Sequence, residues 1–267
     1  MISPMLPVLI RLGPWALNTY TVLIDIGIAV ALFILYRAAP DDKRQTWLDA
    51  GIAATVGGVI GARLVYVLVN GDYYLAHLAE MFEVWRGGLA WPGAVVGGWL
   101  AAALYCSHKR EPLPPIIDAL ALPIGLMGLL SWGGCLAASC AYGYEVKPGE
   151  LPAWMVSDAP DLYGLVAPRW PTQAAGVLWG LFTLAAVWGA RRQRWPAGAR
   201  GLYALSLTAL GTFALAFTRG DPMPFVNGLR LDVVASGAIL LITTLIWATL
   251  TTRTPANTQS PNQPIIP

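Results

Sequence analysis

Seven stretches of this chain, at 18–38, 48–70, 89–107, 115–138, 172–190, 201–218 and 232–251, are long and apolar enough to read as membrane-crossing helices. A helix of about 20 residues spans the ~30 Å hydrocarbon layer, and in lipid a backbone must satisfy its own hydrogen bonds. The expected fold class is therefore all-α, a polytopic membrane protein with seven transmembrane helices. Composition agrees: 12% of residues are charged and 56% hydrophobic, with mean hydropathy +0.57. A soluble domain carries about 25% charged residues, so a soluble enzyme and a disordered chain are both excluded. A net charge of +2 gives no reason to expect a nucleic-acid partner. The first fifteen residues lack a basic start and a small-residue cleavage site, and contain Pro4 and Pro7, so they do not read as a signal peptide.

Positive charge sets the expected threading. One set of connections holds Arg37, Lys43, Arg44, Lys109, Arg110, Arg191, Arg192, Arg194, Arg200 and Arg253; the other holds Arg11, Arg86, Lys147, Arg169, Arg219 and Arg230, with most of the acids. The richer set is expected to be cytoplasmic, which puts the N-terminus out and the C-terminus in. One domain over 1–251 is expected, with long outer loops at 71–88 and 139–171 and a disordered tail at 252–267 that is polar and proline-rich. Residues 72–85 carry Tyr73, Leu75, Leu78, Met81, Phe82 and Trp85 near helical spacing, which predicts an amphipathic interfacial helix. Gly57 and Gly61, Gly93 and Gly97, and Gly176 and Gly180 form small-xxx-small pairs suited to close helix packing.

Charges inside apolar spans mark pairing or function. Asp25 and Arg63 each lie seven residues from the outer end of neighbouring antiparallel spans, which predicts an ion pair; the competing reading has Arg63 reaching a lipid phosphate while Asp25 is neutral. The same threading collects Tyr20, Gln173, Arg219, Asp221 and the glycine-rich stretches 87–93 and 132–143 at one membrane interface, the expected place of a site. His77 falls on that side and His108 on the other. Cys106, Cys135 and Cys140 show neither a CxxC pair nor a nearby histidine, so no metal and no cofactor is expected. Five residues subtend about 500° of helix, so Cys135 and Cys140 are read as buried small apolar groups, with a disulfide as the alternative if the helix ends between them.

An ordered series of motifs resembles the bacterial prolipoprotein diacylglyceryl transferase family across most of 10–235. RLGPWALNTYTV is similar to its early segment, with Tyr20 opening the first helix. GARLVYVL is similar to G-[GA]-R-x-x-Y-x-L through Gly61, Arg63 and Tyr66. VWRGGLAWPGAVVGG resembles W-x-G-G-[ML]-S-F-H-G-G, and DALALPIGLMGLLSWGGCLAASCAYG resembles the D-x-x-A-x-x-x-P-I-G lead into R-x-G-N-x-x-N-G-E-x-[WY]-G. RWPTQ is similar to H-P-[ST]-Q, and AFTRGD to E-F-x-R-x-D.

The resemblance implies transfer of diacylglyceryl from phosphatidylglycerol to the lipobox cysteine thiol of a preprolipoprotein, at the outer face of the bacterial inner membrane, with glycerol phosphate released. The implied partners are phosphatidylglycerol, the preprolipoprotein signal peptide and the lipid bilayer. Carried over residue by residue, it assigns catalytic work to Arg219, Gln173 and Tyr20. Substrate binding falls to Arg63, Tyr66, Tyr142, Gly93, Gly134 and Arg169. Asp118, Gly143 and Asp221 also match.

The chain departs from the pattern at polar positions. Pro92 replaces a histidine, Trp132 an arginine, Cys135, Ala138 and Cys140 two asparagines and a glutamate, Trp170 a histidine, Thr212 an arginine and Ala216 a glutamate. Two readings stay open: a divergent transferase, and a catalytically degenerate relative that binds phospholipid or a lipoprotein partner. A retinal photoreceptor is excluded by the lack of a lysine in the last span.

Overall fold

The computed structural model describes residues 8–12, 15–147, 149–161 and 163–253. The residues expected to be a disordered tail lie outside this set from 254 onward, as do 1–7, 13 and 14 of the N-terminal segment. The chain opens with a hairpin, β1 (Val8–Leu12) and β2 (Trp15–Asn18), and enters α1 (Thr19–Ala38). It continues through α2 (Arg44–Val69), the short α3 (Gly71–Ala76), α4 (Trp91–Lys109), α5 (Leu113–Ala119) and α6 (Ala121–Ala138). A second hairpin, β3 (Ser157–Pro160) and β4 (Val166–Arg169), precedes α7 (Thr172–Ala190) and α8 (Ala199–Ala216). A two-rung hairpin, β5 (Phe225–Val226) and β6 (Leu229–Arg230), leads into α9 (Leu231–Arg253).

Six helical segments among the described residues are long and apolar enough to cross a membrane: Thr19–Ala38, Asp41–Val69, Ala121–Ala138, Thr172–Ala190, Ala199–Ala216 and Leu231–Thr252. The third expected span, α4, is a 19-residue helix that stands outside this set. It nonetheless makes the most extensive helix–helix contact in the molecule, antiparallel along α2. The glycine pairs make that contact possible. A Cβ on Gly57 would meet the Gly97 carbonyl and Ala101, and one on Gly61 would meet the Gly93 carbonyl, so the two backbones touch directly.

The fourth expected span is two helices rather than one. Pro123 lacks an N–H, and its ring would clash with the carbonyl four residues back, that of Ala119, where α5 ends. Freed from a continuous helix, the Asp118 carboxylate turns to the start of α8 and accepts from the backbone N–H groups of Gly198, Arg200 and Gly201 at 2.8, 2.9 and 3.1 Å. It closes an N-terminus that would otherwise leave orphan donors.

The amphipathic helix expected at 72–85 is also broken. After α3 the chain makes two 3-10 turns, Leu78–Phe82 and Val84–Arg86. The carbonyls of Glu80 and Met81, which would extend an α-helix, accept instead from Arg63. Leu75, Leu78, Phe82 and Trp85 are nevertheless strongly exposed, as an interfacial segment requires.

Candidate functional site

The starts of α1, α4, α7 and α9 and the ends of α2, α6 and α8 meet at one end of the bundle. Tyr20, on the first turn of α1, lies against Gly134 of α6, where a Cβ would come within 2.7 Å of the Tyr20 ring, and its hydroxyl is 3.5 Å from Ser131 Oγ. Gln173, on the first turn of α7 and buried, donates its side-chain amide to the carbonyls of Cys140 at 2.7 Å and Cys135 at 3.3 Å. Tyr20 and Gln173 therefore engage adjacent residues of the last turns of α6. Thr172 Oγ1 lies 2.9 Å from Thr218 Oγ1, which ties the start of α7 to the end of α8. A bridge between Gly143 and Arg219, with the Gly220 N–H donating to the Tyr142 carbonyl at 2.8 Å, ties the segment after α6 to the same place. The structure brings Tyr20, Gln173, Arg219 and the 134–143 stretch together, while the 87–93 stretch is held separately, by Arg63 at the end of α2.

Cys135 and Cys140 are bonded to each other. The reading of two separate apolar thiols assumed a helix continuing past both. Instead α6 stops at Ala138, and Ser139 takes a left-handed conformation at φ 60, folding Cys140 back to a Cα–Cα distance of 4.6 Å.

The ion pair expected between Arg63 and Asp25 does not form. Gly27 is the α1 position buried against Met127 and Leu130 of α6. Asp25, two residues or about 200° around, is exposed on the far side. Arg63 is buried and holds the backbone of 80–88: Nε donates to the Met81 carbonyl at 2.9 Å, Nη2 to Glu80 at 2.6 Å, and Nη1 to Gly87 at 2.7 Å and Gly88 at 3.2 Å. Its guanidinium also faces the rings of Tyr66 and Tyr74, at 5.8 and 5.2 Å. These groups, with Asn70 and Tyr73, border a cleft of about 410 Å³ beside the end of α2. Gly93 lies one turn into α4, its α-carbon pressed on Gly61 rather than opening into the cleft.

The other two candidate cations are also engaged. Arg169 is buried beneath Tyr142, its guanidinium carbon 4.8 Å from the ring centroid, and reaches Glu145 at 3.1 Å and Asp161 at 3.3 Å while Nε donates to the Ala159 carbonyl. Arg219 makes a two-pronged contact with Asp221, at 2.8 and 2.5 Å, and lies 3.5 Å from Asp232. Burial opposes its charge most strongly, yet the hydrogen bond to Asp221 and the charges of Asp221 and Asp232 outweigh it, so the Arg219 pKa is raised. Arg230 completes a closed square by bridging Asp232 at 3.1 Å and Asp221 at 3.4 Å. Sequence reasoning missed Arg230 and Asp232. The signal was available: Arg219-Gly-Asp221 and Arg230-Leu-Asp232 are two Arg-x-Asp triplets flanking one turn.

Tryptophan fills the interior between α6, α7 and α8. The Trp132 ring covers Gly176, the Trp179 ring covers Gly211 and donates to the Leu207 carbonyl at 2.8 Å, and the space left beside them is about 10 Å³, room for at most one water. Trp170 packs on Gly143 and edge-on to Tyr144 at the margin of the cluster around Gln173, and His77 stacks on Tyr73 outside it.

Comparison with known proteins places this arrangement. The family model described as prolipoprotein diacylglyceryl transferase matches residues 7–249. The phosphatidylglycerol–prolipoprotein diacylglyceryl transferase of Symbiobacterium thermophilum is 30% identical over 250 residues, 90% of this chain and 92% of that protein. That of Caldanaerobacter subterraneus subsp. tengcongensis is 30% identical over 197 residues, 72% of this chain and 69% of that protein. The Streptococcus uberis protein of the same name is 29% identical over 256 residues, 92% of this chain and 95% of its own length. A match that runs from the first hairpin through α9 leaves one conclusion: the chain belongs to the prolipoprotein diacylglyceryl transferase family.

Proposed function

We propose that this protein acts in lipoprotein diacylglyceryl transfer, taking the diacylglyceryl group of phosphatidylglycerol to a lipobox cysteine thiol, in the plasma membrane of a bacterium. In this reading α4 is the seventh spanning helix: it is 19 residues long, about 28 Å at 1.5 Å per residue, and lies antiparallel against α2. The end rich in lysine and arginine faces the cytoplasm, and the Tyr20–Gln173–Arg219 end faces out. Residues 1–251 act as one domain, and α9 carries the helix on through Thr252 and Arg253, where the sequence predicts a tail.

One observation carries the reading: the motif residues Tyr20, Gly134, Tyr142, Gln173 and Arg219, distant in sequence, are stitched together at a single end of the bundle. The chemistry makes definite demands. The acceptor thiol must lose its proton, because the thiolate is the nucleophile. It then attacks the glyceryl carbon, the carbon–oxygen bond to phosphate breaks, and glycerol phosphate departs with the electron pair. Two acyl chains must enter from lipid, and the cleft of about 410 Å³ bordered by Arg63, Tyr66, Asn70 and Tyr73 at the end of α2, polar in its lining, would receive the headgroup rather than the chains. Gln173 and Tyr20 would orient the reacting groups on the last turns of α6, and Arg219, held with Arg230 in a neutral square by two aspartates, would meet the leaving phosphate by exchanging one of those carboxylates for it.

A specific observation favours a second reading, a non-catalytic relative that binds phospholipid or a lipoprotein partner. Arg63, Arg169 and Arg219 are each held by partners within the protein, and Trp132 fills the groove above Gly176. The deciding experiment supplies the protein in phosphatidylglycerol vesicles with a lipobox peptide and seeks the thioether-linked product by mass spectrometry. Product that is lost in Tyr20→Phe and Gln173→Ala supports transfer. No product, with phosphatidylglycerol still bound, overturns transfer in favour of the second reading.

A further inference from the structure

We infer that Cys135–Cys140 is a thiol–disulfide exchange site that captures a thiol presented at this end of the bundle. Three contacts hold the two cysteine backbones in register without help from sulfur. The Cys140 N–H donates to the Cys135 carbonyl at 3.1 Å, and the Gln173 amide bridges the carbonyls of Cys140 and Cys135 at 2.7 and 3.3 Å. The bond closes a loop of only five-residue separation, so it withdraws less entropy from the unfolded chain than a bond across a long loop would, and the hydrogen bonds fix the same two backbones beside it. The same bonds give a reason for reversibility. When the sulfurs part, Gln173 keeps their Cα atoms near 4.6 Å, ready to close again. Both cysteines are half-buried, neither sealed in the core, and each neighbour of Cys140 (Ser139 at φ 60, Ala141 at φ 51) is a non-glycine residue in the left-handed region. Backbone conformations of that kind gather at functional loops.

The step is an exchange and needs no added oxidant. An incoming thiolate attacks Cys140 Sγ, which lies beyond the end of α6. A new S–S bond forms to Cys140, the Cys135–Cys140 bond breaks, and Cys135 leaves as a thiolate that takes up a proton. Attack by Cys135 on Cys140 reverses it, releases the captured thiol and restores the disulfide, with no net oxidation. The ligand class is a thiol, from either of two sources: a cysteine of a membrane-associated chain, or a small soluble thiol. The inference does not depend on diacylglyceryl transfer, since exchange reads sulfur chemistry alone.

The test incubates the intact protein in vesicles with a cysteine-bearing lipobox peptide or with glutathione, quenches with iodoacetamide, and maps the products by mass spectrometry without reduction. Expected is the ligand's mass on Cys140 together with one carbamidomethyl group on Cys135. In Cys135→Ala, a peptide activated as its mixed disulfide with thionitrobenzoate should load Cys140 and stay there, because no resolving thiol remains. Faster capture of the peptide assigns the source to a membrane-presented cysteine, and faster capture of glutathione to a soluble thiol; either supports the site. An unmodified disulfide in the folded wild-type protein with both thiols, opening only after denaturation, overturns it.

Discussion

The square of Arg219, Asp221, Arg230 and Asp232 is a closed account of charge: two cations, two anions, all mostly buried. Removing one cation leaves two carboxylates sharing the other. Arg219→Ala is therefore expected to destabilise the folded protein by about 3–5 kcal/mol, as for other broken buried pairs. Thermal unfolding in detergent would report it, and an unchanged melting temperature would show the square to be ornamental. Asp118 offers a smaller, separable case. Its carboxylate closes the α8 N-terminus with three backbone bonds, so Asp118→Ala should cost about 1–2 kcal/mol by the same measurement, while Asp118→Asn, which keeps an acceptor oxygen, should cost less. At this scale the sequence was legible in residue type and illegible in partner. Asp118 was legible only as a match to a family motif and Arg219 as one of the polar groups gathered at one interface; only the fold shows the first to be a helix cap and the second to be held by aspartates.

Elements were more legible than contacts, for a reason the failures make plain. Hydropathy reads where a helix begins and ends, and 172–190 is α7 to the residue. Rotation about the helix axis is set by packing, which is why depth matching put Asp25 beside Arg63 when Gly27 had already turned it away. The two breaks were written locally, in Pro123 before α6 could extend backwards and in Ser139 beyond its end. The first was readable by proline chemistry, whereas a serine at φ 60 carries no sequence signal. The α2–α4 seam gives the element-scale prediction. Gly97→Leu should abolish folding of the pair, since even a Cβ at Gly97 would meet the Gly57 carbonyl. Gly189→Ala, at a helical glycine with nothing within 4 Å, should be neutral or stabilise by up to about 1 kcal/mol. Yields of folded protein on size exclusion, followed by unfolding, separate the two; equal behaviour would mean the seam tolerates side chains.

For the whole molecule, everything assigned to the site depends on which face of the membrane its end occupies. The structure puts Tyr20, Gln173 and Arg219 at one end and the Lys43–Glu111 pair, at 2.9 Å, at the other. The excess of lysine and arginine at the second end argues that it stays in the cytoplasm, and a disulfide at the first suits an oxidising compartment. The free Cys106 is buried and Cys135 and Cys140 are bonded to each other, so the wild-type chain offers little background to a thiol reagent. Single cysteines at Glu150→Cys, in the loop before β3, and Arg192→Cys, after α7, therefore read the threading directly. A membrane-impermeant maleimide added to intact cells, with the outer membrane permeabilised where there is one, should modify Glu150→Cys and leave Arg192→Cys untouched until the inner membrane is opened. The reverse pattern would place the cleft in the cytoplasm, away from any exported cysteine, and modification of both would mean that α7 does not cross at all.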